Sequence, residues 1–190
     1  MVKVVVVNGR PGCGKTTFEQ ICRNFCATNS VHFQGERITQ VIITSTVDFV
    51  KKIAVNCGWD GTKTPENRKF LSDLKALLTN WNDLPYRVIQ TEAHRLDKWG
   101  CYKNYDWILF VDCREPEEIQ KLKERLNATT VLIRRPDVEE NETSNRSDAE
   151  VFSYDYDLTI FNNSDIINLE NEAKKFIEYM RGAPHYEHDN

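Results

Sequence analysis

The chain has 190 residues, a net charge of −4 at neutral pH and 40% hydrophobic residues, which suffices for one α/β domain with a substantial core. The acidic balance argues against a stable nucleic-acid partner, because a duplex-binding surface usually carries a basic face. The six cysteines include no C-x-x-C pair, so we expect reduced thiols rather than zinc ligands. Neither a charged leader with an apolar segment nor a stretch of membrane-spanning length is present, and we therefore expect a cytoplasmic protein without a membrane partner.

The first elements are a strand and a helix joined by a glycine-rich loop. The β-branched run from Val2 to Val7 predicts a strand buried on both faces, and the segment from Thr16 to Phe25 has helical spacing. Between them, the letters G-R-P-G-C-G-K-T fit the pattern G-x-x-x-x-G-K-[ST] in its strand–loop–helix context. An ordinary glycine-rich turn is the alternative, but the complete pattern favours a loop that binds phosphates.

Each residue type in this loop has a physical reason for its place. Glycines allow backbone conformations that turn successive N–H groups toward phosphate oxygens, and the helix N-terminus adds a favourable dipole. Lys15 is predicted to reach the outer phosphates, and Thr16 to offer its hydroxyl to Mg²⁺. The residues predicted to contact a nucleotide here are Gly9, Arg10, Pro11, Gly12, Cys13, Gly14, Lys15, Thr16 and Thr17.

A second β-branched run covers Ile38 to Thr44, and three helical patterns follow it. The first has Asp48 placed to complete a cap, and the second has a proline at its first helical position. The three helices are expected to begin near Asp48, Pro65 and Pro85, with the first stopped by Gly58 and the third ending at Gly100. Residues 45–100 are therefore expected to form a helical insertion that covers a second substrate.

The last part of the chain alternates strands and helices. A third strand, Trp107 to Val111, delivers Asp112 at its carboxyl end. The elements predicted after it are a helix from Pro116 to Leu126, strands at Thr129 to Ile133 and Leu158 to Phe161, and a helix capped by Ser164 that runs through Met180. We expect a single α/β domain over residues 1–190, with five parallel strands, helices on both faces and a flexible tail at residues 183–190. Ligands then gather at the carboxyl ends of the strands.

Several stretches resemble a known family. Residues 110–119, with the letters F-V-D-C-R-E-P-E-E-I, resemble the D-x-R-x-P-x-E stretch of phage-type deoxynucleoside monophosphate kinases, and phosphomevalonate kinases look similar there. Residues 156–162 resemble the family's late strand ending in I-x-N, and residues 59–71 look like its acceptor-binding helices. The resemblance covers most of the chain. It implies a P-loop NTPase fold, with ATP and Mg²⁺ as cofactors and small-molecule nucleotides as substrates.

The motif-matched positions suggest roles for individual residues. Asp112 is expected to hold Mg²⁺ through water, with a helix-capping acid as the alternative. Arg114 and Arg68 are candidates for the acceptor's phosphate, because guanidinium groups bind phosphate oxygens bidentately, and Lys63 is a further candidate. For each arginine the alternative is a solvated helix charge. Asn162 resembles the position where the donor's adenine rests, and a turn asparagine is the equal alternative.

A lid is expected at residues 135–149. Arg134, Arg135 and Arg146 are the candidates there for neutralising the transferring phosphate, with Arg146 also a candidate for the acceptor. The segment departs from the family pattern, because it is also crowded with acids such as Asp137, Glu139, Glu140 and Glu142. Any one of the arginines is as well suited to pairing with these acids.

The sequence therefore predicts a kinase that transfers the γ-phosphoryl group of ATP to a nucleoside or deoxynucleoside monophosphate. The residues expected to act in transfer are Lys15, Asp112, Arg114, Arg134 and Arg135. A kinase of phosphomevalonate type is one alternative, and a regulatory nucleotide-binding module with little transfer activity is another. We expect a monomer or a homodimer.

Overall fold

The protein folds around one sheet of five parallel strands, and the predicted α/β class is confirmed. The computed structural model describes residues 2–28, 37–139, 150–163, 165–183 and 186. The strands are β1 (Val2–Asn8), β2 (Ile38–Ser45), β3 (Tyr105–Asp112), β4 (Thr129–Arg134) and β5 (Leu158–Phe161). Their order across the sheet is β2-β3-β1-β4-β5, and every neighbouring pair is parallel.

Seven α-helices connect or follow these strands in the described part of the chain. They are α1 (Lys15–Thr28), α2 (Asp48–Asn56), α3 (Pro65–Asn82), α4 (Leu84–Lys103), α5 (Pro116–Leu126), α6 (Pro136–Glu139) and α7 (Ile166–Arg181). A 3-10 helix at Glu150–Ser153 precedes β5. None of the described helices combines the length and the apolar character that a bilayer span requires.

The central strand β1 divides the core into two layers because its valines alternate between the faces of the sheet. Val5 and Val7 pack in one cluster with side chains of α1 and α7, such as Phe18 and Phe176. Val4 and Val6 pack in a second cluster with side chains of α4 and α5. Helices therefore cover both faces of the sheet, as predicted.

The three helices between β2 and β3 differ in how deeply they are buried. Helix α4 packs directly on the sheet through Ile89, Ala93 and Leu96, which are all buried. Helix α3 has no fully buried residue, and its Leu77 and Trp81 are 65% and 72% exposed. The outer helix α3 is thus the part of this insertion that is available to a ligand, whereas α4 belongs to the core.

Several predicted boundaries differ from those of the structure; helix α1, for example, runs to Thr28 rather than to Phe25. Two of the differences have a clear physical reason. The fourth helix does not end at Gly100 but continues to Lys103, and Asn104 ends it in the left-handed conformation (φ 56°). The final helix is capped by Asp165, whose side chain accepts a hydrogen bond from the Asn168 N–H at 2.9 Å. Ser164, the predicted cap, lies outside the described residues.

The predicted tail, residues 183–190, contains two described residues, Ala183 and Tyr186. The Ala183 N–H donates a hydrogen bond to the Glu178 carbonyl oxygen at 3.2 Å. The Tyr186 hydroxyl donates a hydrogen bond to Glu172 Oε2 at 2.6 Å, and its ring packs edge-on against Phe176 and Tyr179. Residues 184, 185 and 187–190 lie outside the described part of the chain.

Candidate functional site

The loop between β1 and α1 has the backbone conformation that its glycines allow. Gly9, Gly12 and Gly14 have φ angles of 150°, 81° and 100°, which are left-handed values that other residues adopt only with strain. A Cβ atom added at Gly9 would lie 2.4 Å from the Ile133 carbonyl oxygen. The loop is therefore both turned and closely packed against β4.

Asn162 holds this loop in place from the end of β5. Its side-chain amide donates a hydrogen bond to the Cys13 carbonyl oxygen at 2.9 Å, and its own N–H donates to the Arg134 carbonyl oxygen at 2.7 Å. Asn162 is buried. We call the hydrogen bond from the Asn162 side chain to Cys13 the Asn162 clamp. A Cβ atom added at Gly14 would lie 2.5 Å from Asn162 Nδ2, so the clamp requires a glycine at position 14. The predicted contact of Asn162 with an adenine stays a prediction, since the side chain seen here is turned to the loop.

Lys15 lies over the loop. Its ammonium group donates hydrogen bonds to the carbonyl oxygens of Gly9 at 2.5 Å and Arg10 at 3.1 Å. It thus sits on the concave side of the backbone turn, where a phosphate bound by the loop's N–H groups would exchange these carbonyl bonds for stronger charge-assisted ones. Thr16 and Thr17 follow on the exposed first turn of α1.

Asp112 ends β3 directly beside β1, and its backbone is fixed from the end of β2 and the residue that follows it. Its carbonyl oxygen accepts hydrogen bonds from the Thr46 N–H and the Ser45 hydroxyl, both at 3.2 Å. Burial raises the pKa of the Asp112 carboxyl, and the charges of Lys15 and Arg114 partly offset this. Because β1 pairs with β3 up to Val7 and Asp112, Asp112 lies at the same edge of the sheet as the loop that leads to Lys15.

Arg114 is exposed, but its backbone is anchored. The Asn8 side chain donates hydrogen bonds to the Arg114 carbonyl oxygen at 3.3 Å and to the Tyr156 hydroxyl at 2.7 Å, while its Oδ1 accepts from the Gly9 N–H at 2.8 Å. The Tyr156 hydroxyl in turn donates to the Val151 carbonyl oxygen at 2.9 Å. A single buried asparagine therefore links the start of the phosphate loop to the loop after β3.

A half-buried ion cluster ties the outer helix α3 to the same loop. The Lys75 ammonium group donates to Glu115 Oε2 and Glu118 Oε2, both at 2.8 Å. Although burial opposes ionisation, the charge and hydrogen bond of Lys75 lower the pKa of Glu115, whereas burial and the charge of Glu115 raise that of Glu118. The Cys113 thiol donates to Glu118 at 3.4 Å. Lys75 fills the centre of this cluster, which identifies it as an ion-pair tether.

Arg134 and Arg10 both contact one aromatic ring, that of Phe152. Their guanidinium carbons lie 5.1 and 5.2 Å from the centroid of the Phe152 ring, and Arg134 also lies 5.7 Å from the Phe161 ring. Arg135 forms an ion pair with Asp137 at 3.9 Å. The Arg135 pair agrees with the alternative that a lid arginine pairs with the neighbouring acids.

The remaining predicted substrate residues are not joined to this site. Lys63 and Arg68 are exposed near the start of α3, and among the described residues no hydrogen bond or ion pair connects either of them to the loop or to Asp112. The turn that carries them is nevertheless ordered, because Asp60 accepts hydrogen bonds from the Thr62 N–H and hydroxyl at 2.9 and 2.7 Å. Arg146 and residues 140–149 of the predicted lid lie outside the described residues.

Sequence reasoning missed Glu19, which is fully buried beside the loop. Neither of its carboxyl oxygens has a hydrogen-bond partner among the described residues. Burial and the charge of Asp112 raise its pKa from 4.5 to about 8, against the influence of Lys15. A signal was present: Glu19 shares the helical face of the buried Cys22 and Cys26, at spacings of three and four residues.

The residues present fit a nucleotide phosphate and a divalent cation. The glycines give the loop its turned backbone, and the helix N-terminus supplies N–H groups without intrahelical partners. The Thr16 hydroxyl and the Asp112 carboxylate are hard oxygen ligands of the kind that Mg²⁺ prefers, and the carboxyl oxygens of the buried Glu19 lack a hydrogen-bond partner among the described residues. No protein-family model matches the chain, and no curated protein matches it.

Proposed function

We propose that the chain is a P-loop kinase that transfers the γ-phosphoryl group of ATP to a nucleoside or deoxynucleoside monophosphate. The observation that supports this best is the meeting of the glycine loop, Lys15 and Asp112 at one edge of a parallel sheet. That edge is where α/β proteins bind ligands. The resemblance of residues 110–119 and 156–162 to phage-type deoxynucleoside monophosphate kinases supports the choice of acceptor.

In the proposed reaction the protein mainly positions the two phosphates and forms no covalent bond to them. Phosphoryl transfer requires donor and acceptor phosphates held in line, with the developing charge neutralised. The loop's N–H groups would bind the donor's phosphates, and Lys15 would move its donors from the carbonyl oxygens of Gly9 and Arg10 to phosphate oxygens. Thr16 and Asp112 would hold Mg²⁺, which supplies further neutralisation of phosphate charge when it is bound.

The acceptor would lie between the loop after β3 and the outer helix α3. Arg114 is exposed there and its carbonyl oxygen is anchored by Asn8, so its Cα would stay fixed while its guanidinium group turns toward a phosphate. The Lys75 tether holds α3 against the same loop. Arg68 and Lys63 would approach the acceptor only if the outer part of α3 moves toward Arg114 on binding.

A nucleotide-binding module with little transfer activity is the second candidate. The contacts of the lid arginines favour it, because Arg134 is stacked against Phe152 and Phe161 and Arg135 is paired with Asp137. In a kinase these contacts must break, so that an arginine reaches the transferring phosphate.

One experiment separates the candidates. ADP release from ATP and Mg²⁺ should be measured with a panel of ribo- and deoxyribonucleoside monophosphates and with mevalonate phosphate. The proposed kinase gives release that depends on one or a few of the nucleotides. Release only with mevalonate phosphate would indicate the metabolite kinase, and ATP binding without acceptor-dependent release would indicate the binding module.

A further inference from the structure

Glu19 is a carboxyl group built into the core beside the phosphate loop. It is 0% exposed, and both of its oxygens are without a hydrogen-bond partner among the described residues. Buried polar groups in folded proteins are almost always paired, because an unpaired one lowers stability. Packing alone therefore does not account for a glutamate at this position.

The other fully described buried glutamate shows the normal arrangement. Glu172 on α7 accepts a hydrogen bond from the Tyr186 hydroxyl at 2.6 Å and another from the Lys175 ammonium group at 3.3 Å. The core thus supplies donors to one buried carboxyl and leaves the other without them.

The position of Glu19 points to the phosphate site. It follows Lys15 by one helical turn and Thr16 by three residues, so all three side chains leave α1 on neighbouring parts of one face. Phe18, the residue before Glu19, packs edge-on against Phe110 of β3, with 6.3 Å between the ring centroids. Helix α1 is therefore seated on the strand that ends in Asp112, and the charges of both Asp112 and Lys15 act on Glu19.

We propose that Glu19 is a second carboxylate of the magnesium site, where it accepts hydrogen bonds from metal-bound water beside Thr16 and Asp112. Magnesium in such sites is held by one or two carboxylates and keeps several waters. The water molecules supply the donors that the protein does not, and the divalent charge balances two carboxylates near the single charge of Lys15. Glu19 is then a positioning residue, and the inference rests on the proposed function because the cation binds together with a nucleotide.

The test measures how strongly magnesium enhances nucleotide affinity. The dissociation constant of a fluorescent ATP analogue is measured with Mg²⁺ and with EDTA, and the ratio of the two values is the metal enhancement. Changes in groups that orient metal ligands typically cost about tenfold to a hundredfold in metal affinity. Glu19→Gln should therefore lower the enhancement by about tenfold or more, while affinity in EDTA stays near that of the wild type. Glu172→Gln, a buried glutamate directed at Tyr186, is the matched control and should leave the enhancement unchanged.

A second variant distinguishes a metal role from a structural one. Glu19→Met keeps the approximate volume and removes the unpartnered carboxyl, so its melting temperature without metal or nucleotide should be equal to or higher than that of the wild type. A lower melting temperature would show a structural glutamate and overturn the inference, as would an unchanged metal enhancement in Glu19→Gln. If Mg²⁺ does not enhance binding of the analogue to the wild type, both the proposed function and this inference are wrong. If Mg²⁺ enhances binding equally in the wild type and in Glu19→Gln, only the inference is wrong.

Discussion

Asn162, at the end of β5, and Cys13, in the loop after β1, are joined by a hydrogen bond of 2.9 Å from the side-chain amide to the carbonyl oxygen. The bond spans 149 residues of sequence and closes the phosphate loop against the far half of the sheet. The conformation of the loop is thus set by β4 and β5 as well as by its own glycines.

Asn162→Ala should weaken nucleotide binding by loosening the loop. The substitution leaves a buried carbonyl oxygen without its donor, which costs about 1 to 3 kcal/mol. We expect a corresponding loss in the free energy of unfolding and a weaker affinity for ATP, measured by denaturation and by titration. The exposed neighbour Asn163 provides the control, because Asn163→Ala should change neither value. Equal ATP affinity in the two variants would contradict the clamp.

Gly14→Ala should harm the loop more than its backbone angle alone explains. The φ angle of Gly14 is 100°, and the new Cβ would lie 2.5 Å from Asn162 Nδ2. Gly58 has a similar φ of 95° with no atom within 4 Å of its added Cβ, so Gly58→Ala reports the angle alone, at about 1 to 2 kcal/mol. Denaturation of both variants should show the larger loss for Gly14→Ala, together with loss of ATP binding. Similar losses of unfolding free energy in the two variants would mean that the Asn162 side chain can move away from the new Cβ atom without loss of stability.

The stability of the chain without ligand should fall between about pH 5 and pH 8 because of Glu19. Burial first, and then the charge of Asp112, raise its pKa from 4.5 to about 8, so the folded chain keeps a proton that the unfolded chain releases. Stability is therefore highest below the unfolded value and declines as the pH rises through the folded one, by at most roughly 5 kcal/mol. Denaturant unfolding across this range should give a flatter profile for Glu19→Gln. Asp112 is present in both proteins, so parallel profiles would refute the role assigned to Glu19.

Lys75→Met should separate the outer helix from the loop after β3. It leaves the Glu115 and Glu118 carboxylates close together without their shared cation, at a cost of about 1 to 3 kcal/mol in the free energy of unfolding because Glu115 is partly exposed. Lys69 on the same helix pairs with Asp73, and both side chains are well exposed. Lys69→Met should therefore cost less than about 0.5 kcal/mol in the same denaturation experiment. A comparable cost for both would show that the tether carries no special stability.

The elements of the sheet were predictable because their signals are local. The bounds of the helix Pro116–Leu126 and the strand Leu158–Phe161 match the prediction, since proline and short β-branched runs act on the residues beside them. Gly100 was wrongly predicted to end the helix. A glycine inside a helix lowers its stability by only about 1 kcal/mol, and the buried packing of α4 outweighs that loss. The Gly100 carbonyl oxygen also accepts a hydrogen bond from Arg37 at 3.2 Å.

The site was only partly predictable. Gly9 to Thr16 and Asp112 follow from patterns within a few residues, whereas the Asn162 clamp and the Lys75 tether join residues that are distant in sequence and close only in the fold. Glu19 was missed because a charged residue is ordinarily assigned to the exposed face of a helix. In the structure Glu19 instead lies on the buried face of α1, together with Cys22 and Cys26.

The most direct test of the proposed kinase follows the phosphorus atoms themselves. Phosphorus NMR of a mixture of ATP, Mg²⁺ and the preferred nucleoside monophosphate should show the β-phosphate of a new nucleoside diphosphate appearing together with an equal amount of ADP. Lys15→Met, which removes the charge at the donor's phosphates, should abolish both signals while the protein stays folded. Formation of inorganic phosphate without a nucleoside diphosphate, or unchanged transfer in Lys15→Met, would contradict the account.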